Sequence, residues 1–161
     1  MPVQLTEDQI QALLSERKPL SADYRERIRS KPKRGHAERE LELRSGEGNE
    51  FRIIIRHSLI APFDFSVILA YRPAESTRWF RLRRYNGKSH EHTNMLEGVT
   101  FYDFHIPTAT ERYQASGLRE DSFAESSDRF PDIDGAVRCP LNDCGFDVPP
   151  DKQGKLFQGA L

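Results

Sequence analysis

Between Leu41 and Tyr85 the chain alternates apolar and polar residues in short runs separated by turn-forming clusters, a period of two that only extended backbone can use. Leu41 and Leu43 alternate with Glu40, Glu42 and Arg44, and Ser45 to Asn49, with two glycines, reads as the turn into a run from Phe51 to His57. Phe63 to Tyr71, a polar turn at Pro73 to Ser76, and Arg78 to Tyr85 make a second hairpin, with Asn86 and Gly87 as the next turn. A fifth strand is expected over Phe101 to Ile106, ended by Pro107.

Helical spacing is confined to the flanks. Thr6 and Gln9 have capping-box spacing ahead of Ile10, Leu13 and Leu14, which predicts a helix over 7–16. Ser21 is a candidate cap for a second short helix through Ile28, and Ser30 to Gly35, with one proline and three basic residues, reads as a mobile connector. Thr108 and Glu111 again have capping-box spacing, with Thr110 as a competing cap, so a helix should run through Tyr113 and Gln114. Ile133, Val137 and Leu141 form a stripe over 132–146 that could pack on the sheet, although Pro140 interrupts it. The expectation is an α+β protein: one antiparallel meander sheet of about five strands flanked by short N- and C-terminal helices. Its parts are a helical segment and basic connector (1–36), the α+β domain (37–146) and a flexible tail (147–161).

Charge and composition narrow the function classes. No apolar run approaches the roughly 18 residues that span a bilayer, and Met1 to Ile10 lacks the basic and apolar stretches of a secretory leader, so the expected compartment is the cytoplasm. Cys139 and Cys144 stand without a second cysteine or histidine pair and form neither a disulfide framework nor a complete zinc site. The net charge of −1 conceals an asymmetry: residues 51–113 hold nine Lys and Arg against six Asp and Glu, whereas 114–161 hold five against nine. A basic middle suits a phosphate-bearing partner. Simple alternation puts Trp79, Arg81, Arg83 and Tyr85 on one strand face, with Arg52 and Arg56 extending it, a mixture that can stack bases and neutralise phosphates.

Three of the five histidines fall between Tyr85 and Tyr113. His90 and His92 flank Glu91 and project to one side of an extended backbone, and His105 closes the strand before Pro107. The cluster admits two chemistries. In one, His90, His92 and His105 ligate a divalent transition metal, with Glu91, Glu97 or Asp103 as a further partner. In the other no metal is needed: one imidazole acts as base and another as acid at a phosphodiester, while Arg84, Lys88 or Arg112 stabilises the anion. Tyr85 joins Arg84, Lys88 and Arg112 as a substrate-binding candidate. His36 and His57 carry no functional reading here.

The run Arg84 to Asn94 (RYNGKSHEHTN), then Phe104, His105, Ile106 and Ala109 to Tyr113 (ATERY), resembles an uncharacterised group of small bacterial proteins known only as a domain of unknown function and often found near mobile elements. With the opening Leu5, Thr6 and Glu7, the similarity spans most of residues 5–146. A looser likeness, a histidine pair after an Asn-containing turn, is to TumE-type toxins of toxin and antitoxin pairs. Members of the first group commonly carry a second histidine two places after the one matching His105, where this chain has Pro107. The resemblance implies the strand and turn layout and brings no established activity. The leading expectation is a toxin-like RNA phosphodiesterase. The alternatives are a non-catalytic component that binds a protein partner from its operon, as an antitoxin or defence accessory does, and a metal-dependent small-molecule enzyme.

Overall fold

A computed structural model describes residues 3–150. The fold is α+β, with an antiparallel sheet of seven strands rather than about five. In chain order the elements are α1 (Glu7–Ser15), β1 (Lys18–Pro19), a one-turn 3-10 helix (Tyr24–Arg27), β2 (Arg29–Lys33), β3 (His36–Arg44), β4 (Glu50–Ser58), β5 (Phe65–Arg72), β6 (Phe80–Asn86), β7 (His92–Asn94), β8 (Val99–Phe101), β9 (His105–Thr108), α2 (Glu111–Ala115), β10 (Phe123–Ser126), α3 (Ile133–Asp143) and β11 (Phe146–Asp147). The main sheet has the order β10-β9-β6-β5-β4-β3-β2, a meander from β2 to β6 that resumes at β9 after the β7–β8 hairpin.

Alternation in the central strands does what its period demands. Residues directly opposite in antiparallel pairs share a face, and the registers put Leu41, Ile53 and Leu69 in one row and Ile55, Val67 and Tyr85 in the next. These rows are buried with Ile10, Leu13 and Leu14 of α1 and Val137 and Leu141 of α3 in one core. The α1 capping box forms as its spacing predicts. The stripe on α3 also packs as expected, capped by Asp132, with Pro140 accommodated inside the helix.

Several elements differ from the sequence reading. The predicted second helix is only the 3-10 turn, and most of the connector expected over Ser30 to Gly35 belongs to edge strand β2 on β3. An edge strand tolerates Pro32 because one of its rows of N–H groups needs no partner. The expected fifth strand divides into β8 and β9, and β9 continues through Pro107. Its ladder to β6 registers only Arg83 with Thr108 and Asn86 with His105, so a residue without an N–H fits between them. The helix after β9 starts later than Thr108, because Thr110 is the cap that accepts from the Tyr113 N–H. Most of the tail expected over 147–161 lies outside the described residues.

The two flanks of the chain meet at Lys18. Its backbone N–H donates to Gly145 O at 2.7 Å, the Leu20 N–H donates to Asp147 O, and β1 thereby pairs with β11 in parallel. The Lys18 side chain is fully buried, and its ammonium donates to the carbonyls of Leu13 (2.7 Å), Leu14 (3.1 Å) and Glu16 (2.8 Å) at the end of α1 and of Cys144 (2.7 Å) at the end of α3. These are the carbonyls that a helix leaves without partners at its C-terminus, where the dipole favours a cation. Burial lowers the pKa of Lys18 to about 8, so it remains an ammonium at neutral pH. Gly145 permits the close approach: its φ is +74°, and a Cβ there would stand 2.4 Å from Glu16 O.

Lys18→Met should therefore keep the stem's apolar bulk and leave four buried carbonyls unanswered. The expected loss is about 3 kcal/mol or more, read as a fall in urea midpoint and in Tm. A midpoint within experimental error of the wild type would mean that other groups satisfy those carbonyls.

Candidate functional site

The face of the sheet turned away from the helices carries the polar side chains. Glu38, Arg56, Ser66, Asn86 and His105 stand opposite one another on β3, β4, β5, β6 and β9 and form one row across five strands. Arg84 belongs to the adjacent row with Ile68, Ile54 and Glu40. This assignment departs from simple alternation because the β5–β6 register shifts between Leu69 and Ala70, where Leu69 pairs with Arg83 but Ala70 pairs with Arg81. The extra residue, Leu82, is a bulge that reverses facing along β6. Tyr85 and Arg83 therefore share the helix-covered side, and Arg81 and Arg84 the open one. Tyr85 is fully buried and donates its hydroxyl proton to Asp143 at 2.9 Å.

His90, His92 and His105 come together. The ring centroids of His92 and His105 are 5.1 Å apart and those of His90 and His105 6.2 Å, and Phe101 lies 5.4 Å from His92 and 5.8 Å from His105. They differ in access: His90 is exposed, His92 half-buried, and His105, at 1% exposure, lies beneath both. The approach depends on Gly87, whose N–H donates to Phe65 O at 2.9 Å and whose missing Cβ would fall 1.9 Å from Phe63 O. The loop that carries His90 is thus pressed onto the β4–β5 turn.

Hydrogen bonds orient the two less exposed rings. Nδ1 of His105 lies 2.8 Å from Asp103 O, an acceptor only, so it carries the proton, and Nε2 faces the Asn86 amide nitrogen at 3.5 Å. Asn86 in turn accepts from the Ser66 hydroxyl. Burial, opposed in part by the Asp103 carbonyl, lowers the pKa of His105 to about 4, with the nearby His92, His90 and Arg84 adding to the fall. Asn94 holds His92. Its side chain copies a strand, donating to Ala124 O at 2.8 Å and accepting from the Ala124 N–H at 2.9 Å, and the same Oδ1 lies 2.8 Å from Nε2 of His92. An amide oxygen that accepts requires Nε2–H on His92, so in the neutral ring the lone pair is on Nδ1.

The cationic candidates are dispersed around this cluster. Arg84 is paired with the fully buried Asp121 at 2.6 Å. Lys88 lies over the rings of Phe63 and Phe104, and its carbonyl accepts from the Tyr102 hydroxyl. Arg112 is paired with Glu97 and stacks on Tyr113 and Phe123, while Glu97 also accepts from the Tyr113 hydroxyl. Among the described residues, no group of three or more His, Cys, Asp or Glu side chains is arranged to hold a metal ion. Nor is any described helix long and apolar enough to cross a membrane. Spacing alone pointed to the three histidines; the roles of Asn86 and Ser66 emerge only from strand register. Asn94, two residues from His92, was visible as a neighbour but not as its anchor.

No family model, curated protein or solved structure matches the chain.

The buried ring gives the fold a pH dependence with a definite sign. An unfolded histidine takes up a proton near pH 6.5, whereas folded His105 does so only near 4, so the unfolded state binds more protons between these values. Stability is full above pH 6.5 and declines as pH falls toward 4, by up to about 3 kcal/mol. In His105→Gln this component should vanish. Urea midpoints at neutral pH and at about pH 4.5, compared between wild type and variant, measure it, and equal losses in both would reject the assignment.

Proposed function

We propose that the chain is a metal-independent phosphodiesterase acting on RNA, with proton transfer carried by His90 and His92. The observation that supports this reading is the meeting of three imidazoles at the end of a polar sheet face, two reachable by a ligand and the third held neutral below them. His92 presents an unprotonated Nδ1 while Asn94 keeps its other nitrogen occupied. It can take the proton from a ribose 2′-hydroxyl as the oxygen attacks the adjacent phosphorus. His90, entering this step as the imidazolium, returns a proton to the leaving 5′-oxygen, so the 2′,3′-cyclic phosphate and the free 5′-hydroxyl form as one positive charge passes from His90 to His92. His105 is a positioning residue: a second charged imidazole beneath His92 would repel it, and a neutral one does not. Arg84, whose charge acts on His105, is the leading guanidinium for the anionic phosphorane, with Lys88 and Arg112 as further candidates.

A rival reading draws on the β7–β8 hairpin and its surroundings, where Met95, Leu96, Val99 and Tyr102 are exposed apolar residues. In that reading the surface is covered by a protein partner and the histidines organise the hairpin.

Cleavage of an end-labelled single-stranded RNA by the purified chain separates them. His90→Ala and His92→Ala should each lower the rate by roughly two to four orders of magnitude, with Tm near the wild-type value and no response to chelator. Cleavage that persists in the double variant, or is abolished by chelator alone, would refute the proposal. The rival would gain if the wild type cleaved no RNA and Leu96→Asp disrupted a complex with a protein encoded beside it.

A further inference from the structure

Three carboxylates are buried on the open face, Glu38 and Glu40 at 5% exposure and Asp121 at 0%. Each is held by two cations: Glu38 by Arg56 and Lys33, Glu40 by Lys31 and Arg52, and Asp121 by Arg84 and Arg119. The acids lie below, while the ammonium groups of Lys31 and Lys33 and the guanidinium of Arg119 are about half exposed. Six cations thus answer three carboxylates, an excess of three positive charges, and two remain even when the exposed Glu42, which also pairs with Arg52, is counted. Burial alone would raise the pKa of Glu38, yet Arg56 and Lys33 hold it below the ordinary carboxylate range, so the charges on both sides persist at neutral pH. A sheet face built this way presents positive charge to solvent on an anchored base.

Two of the six cations, Arg56 and Arg84, line a groove beside the histidine cluster. Its cavity is about 140 Å³, and Arg56, Arg84, His36, His57, Asn86 and His90 are among the residues that line it. His90 is therefore a wall common to the groove and to the cluster. Among the described residues the one carboxylate lining it is Asp64, 3.6 Å from Nε2 of His36 at the rim. The buried Nε2 of His57 has no hydrogen-bond partner among the described residues. A volume of this size admits a phosphate group with part of a sugar. From His105 to Arg56 the polar row crosses three strand spacings, roughly 14 Å, which is more than one nucleotide requires.

We propose that this groove is a second phosphate subsite, which holds the backbone phosphate next to the one presented to the histidines. The ligand is then a single-stranded polynucleotide rather than a mononucleotide. Arg56 and Arg84 contact the phosphate oxygens, and the Asn86 amide supplies a neutral donor. The inference rests on the reading that the histidine cluster acts on RNA, but it concerns binding and can fail or stand apart from cleavage.

Two rim substitutions of opposite sign test it, neither of them among the residues given proton-transfer roles. The probe is a fluorescein-labelled 2′-O-methyl oligouridylate of about twelve nucleotides, which cannot be cleaved, titrated with the full chain while anisotropy is followed. His36→Glu should weaken binding roughly threefold to tenfold, and Asp64→Asn should tighten it by a similar factor, both effects shrinking at high salt. Uridine monophosphate and inorganic phosphate should compete at least tenfold more weakly than an unlabelled oligomer. A thymidylate oligomer bound with equal affinity would support the same assignment, with the backbone rather than the sugar being read. The subsite is refuted if the wild type does not bind the oligomer, if both variants bind within twofold of it, or if the monophosphate competes as well as the oligomer. Should the rim variants shift affinity while the His90 and His92 variants leave cleavage untouched, the groove stands and the catalytic reading falls. The reverse pattern overturns the groove alone.

Discussion

The architecture depends on one ammonium placed where two helices end. Lys18 lies between the C-termini of α1 and α3, taking carbonyls from both, with the Phe51 ring 4.6 Å from its nitrogen. A charged group fully removed from water ordinarily costs several kcal/mol. Here that cost is offset by acceptors that would otherwise be orphaned at the helix ends, so the lysine and the helices need each other. The same residue's backbone starts the β1–β11 pairing, which joins the first twenty residues to the last strand described. Both helices are thereby committed to one side of the sheet.

That commitment decides the chemistry of the other side. With the apolar rows of β3 to β6 covered by α1 and α3, the opposite rows must satisfy their polar groups within the sheet or in water. The buried acids do so through arginines and lysines of neighbouring strands, and the row from Glu38 to His105 is the same solution carried on with neutral groups, Ser66 and Asn86. Order of charge follows distance from the hairpin: ion pairs toward β2 and β3, amide and hydroxyl in the middle, imidazoles at β9. Polar continuity of this kind gives a ligand one surface to follow. It also keeps His105 from facing a carboxylate, which would raise its pKa instead of letting burial depress it.

Much of the fold was legible from residue order because the signals were local. The capping box at Thr6, the alternation from Leu41 through Tyr71 and the α3 stripe each involve residues within a few positions of one another, and each formed as its spacing implied. What escaped were features decided by distant pairing. Strand β10 has a weak pattern of its own and exists because β9 and the Asn94 side chain supply partners for its backbone. β2, entirely exposed, reads as connector since nothing in its own sequence announces β3 as a neighbour. The β6 bulge is the instructive case: one unpaired residue, Leu82, transferred Tyr85 from the open face to the core and brought Arg84 outward. A period-two argument has no means of seeing an insertion that only the partner strand reveals.

The histidine site sits at the junction of these two kinds of information. The spacing of His90 and His92 was visible, but convergence with His105 requires Gly87 to admit the β4–β5 turn, Asn94 to pin the hairpin to β10, and Asn86 to stand opposite His105. Imidazoles 5.1 and 6.2 Å from His105 oppose its protonation, since a charge on one raises the electrostatic work of placing the next. Burial resolves the competition by making the deepest ring the one that stays neutral, and the bond from its Nδ1–H to Asp103 O fixes its tautomer. The two more accessible rings thus stand over a neutral imidazole, on the side a ligand would approach. An exposed trio of histidines would have shared protons without preference; a stacked one assigns them by depth, and depth here follows from the strand order of the sheet.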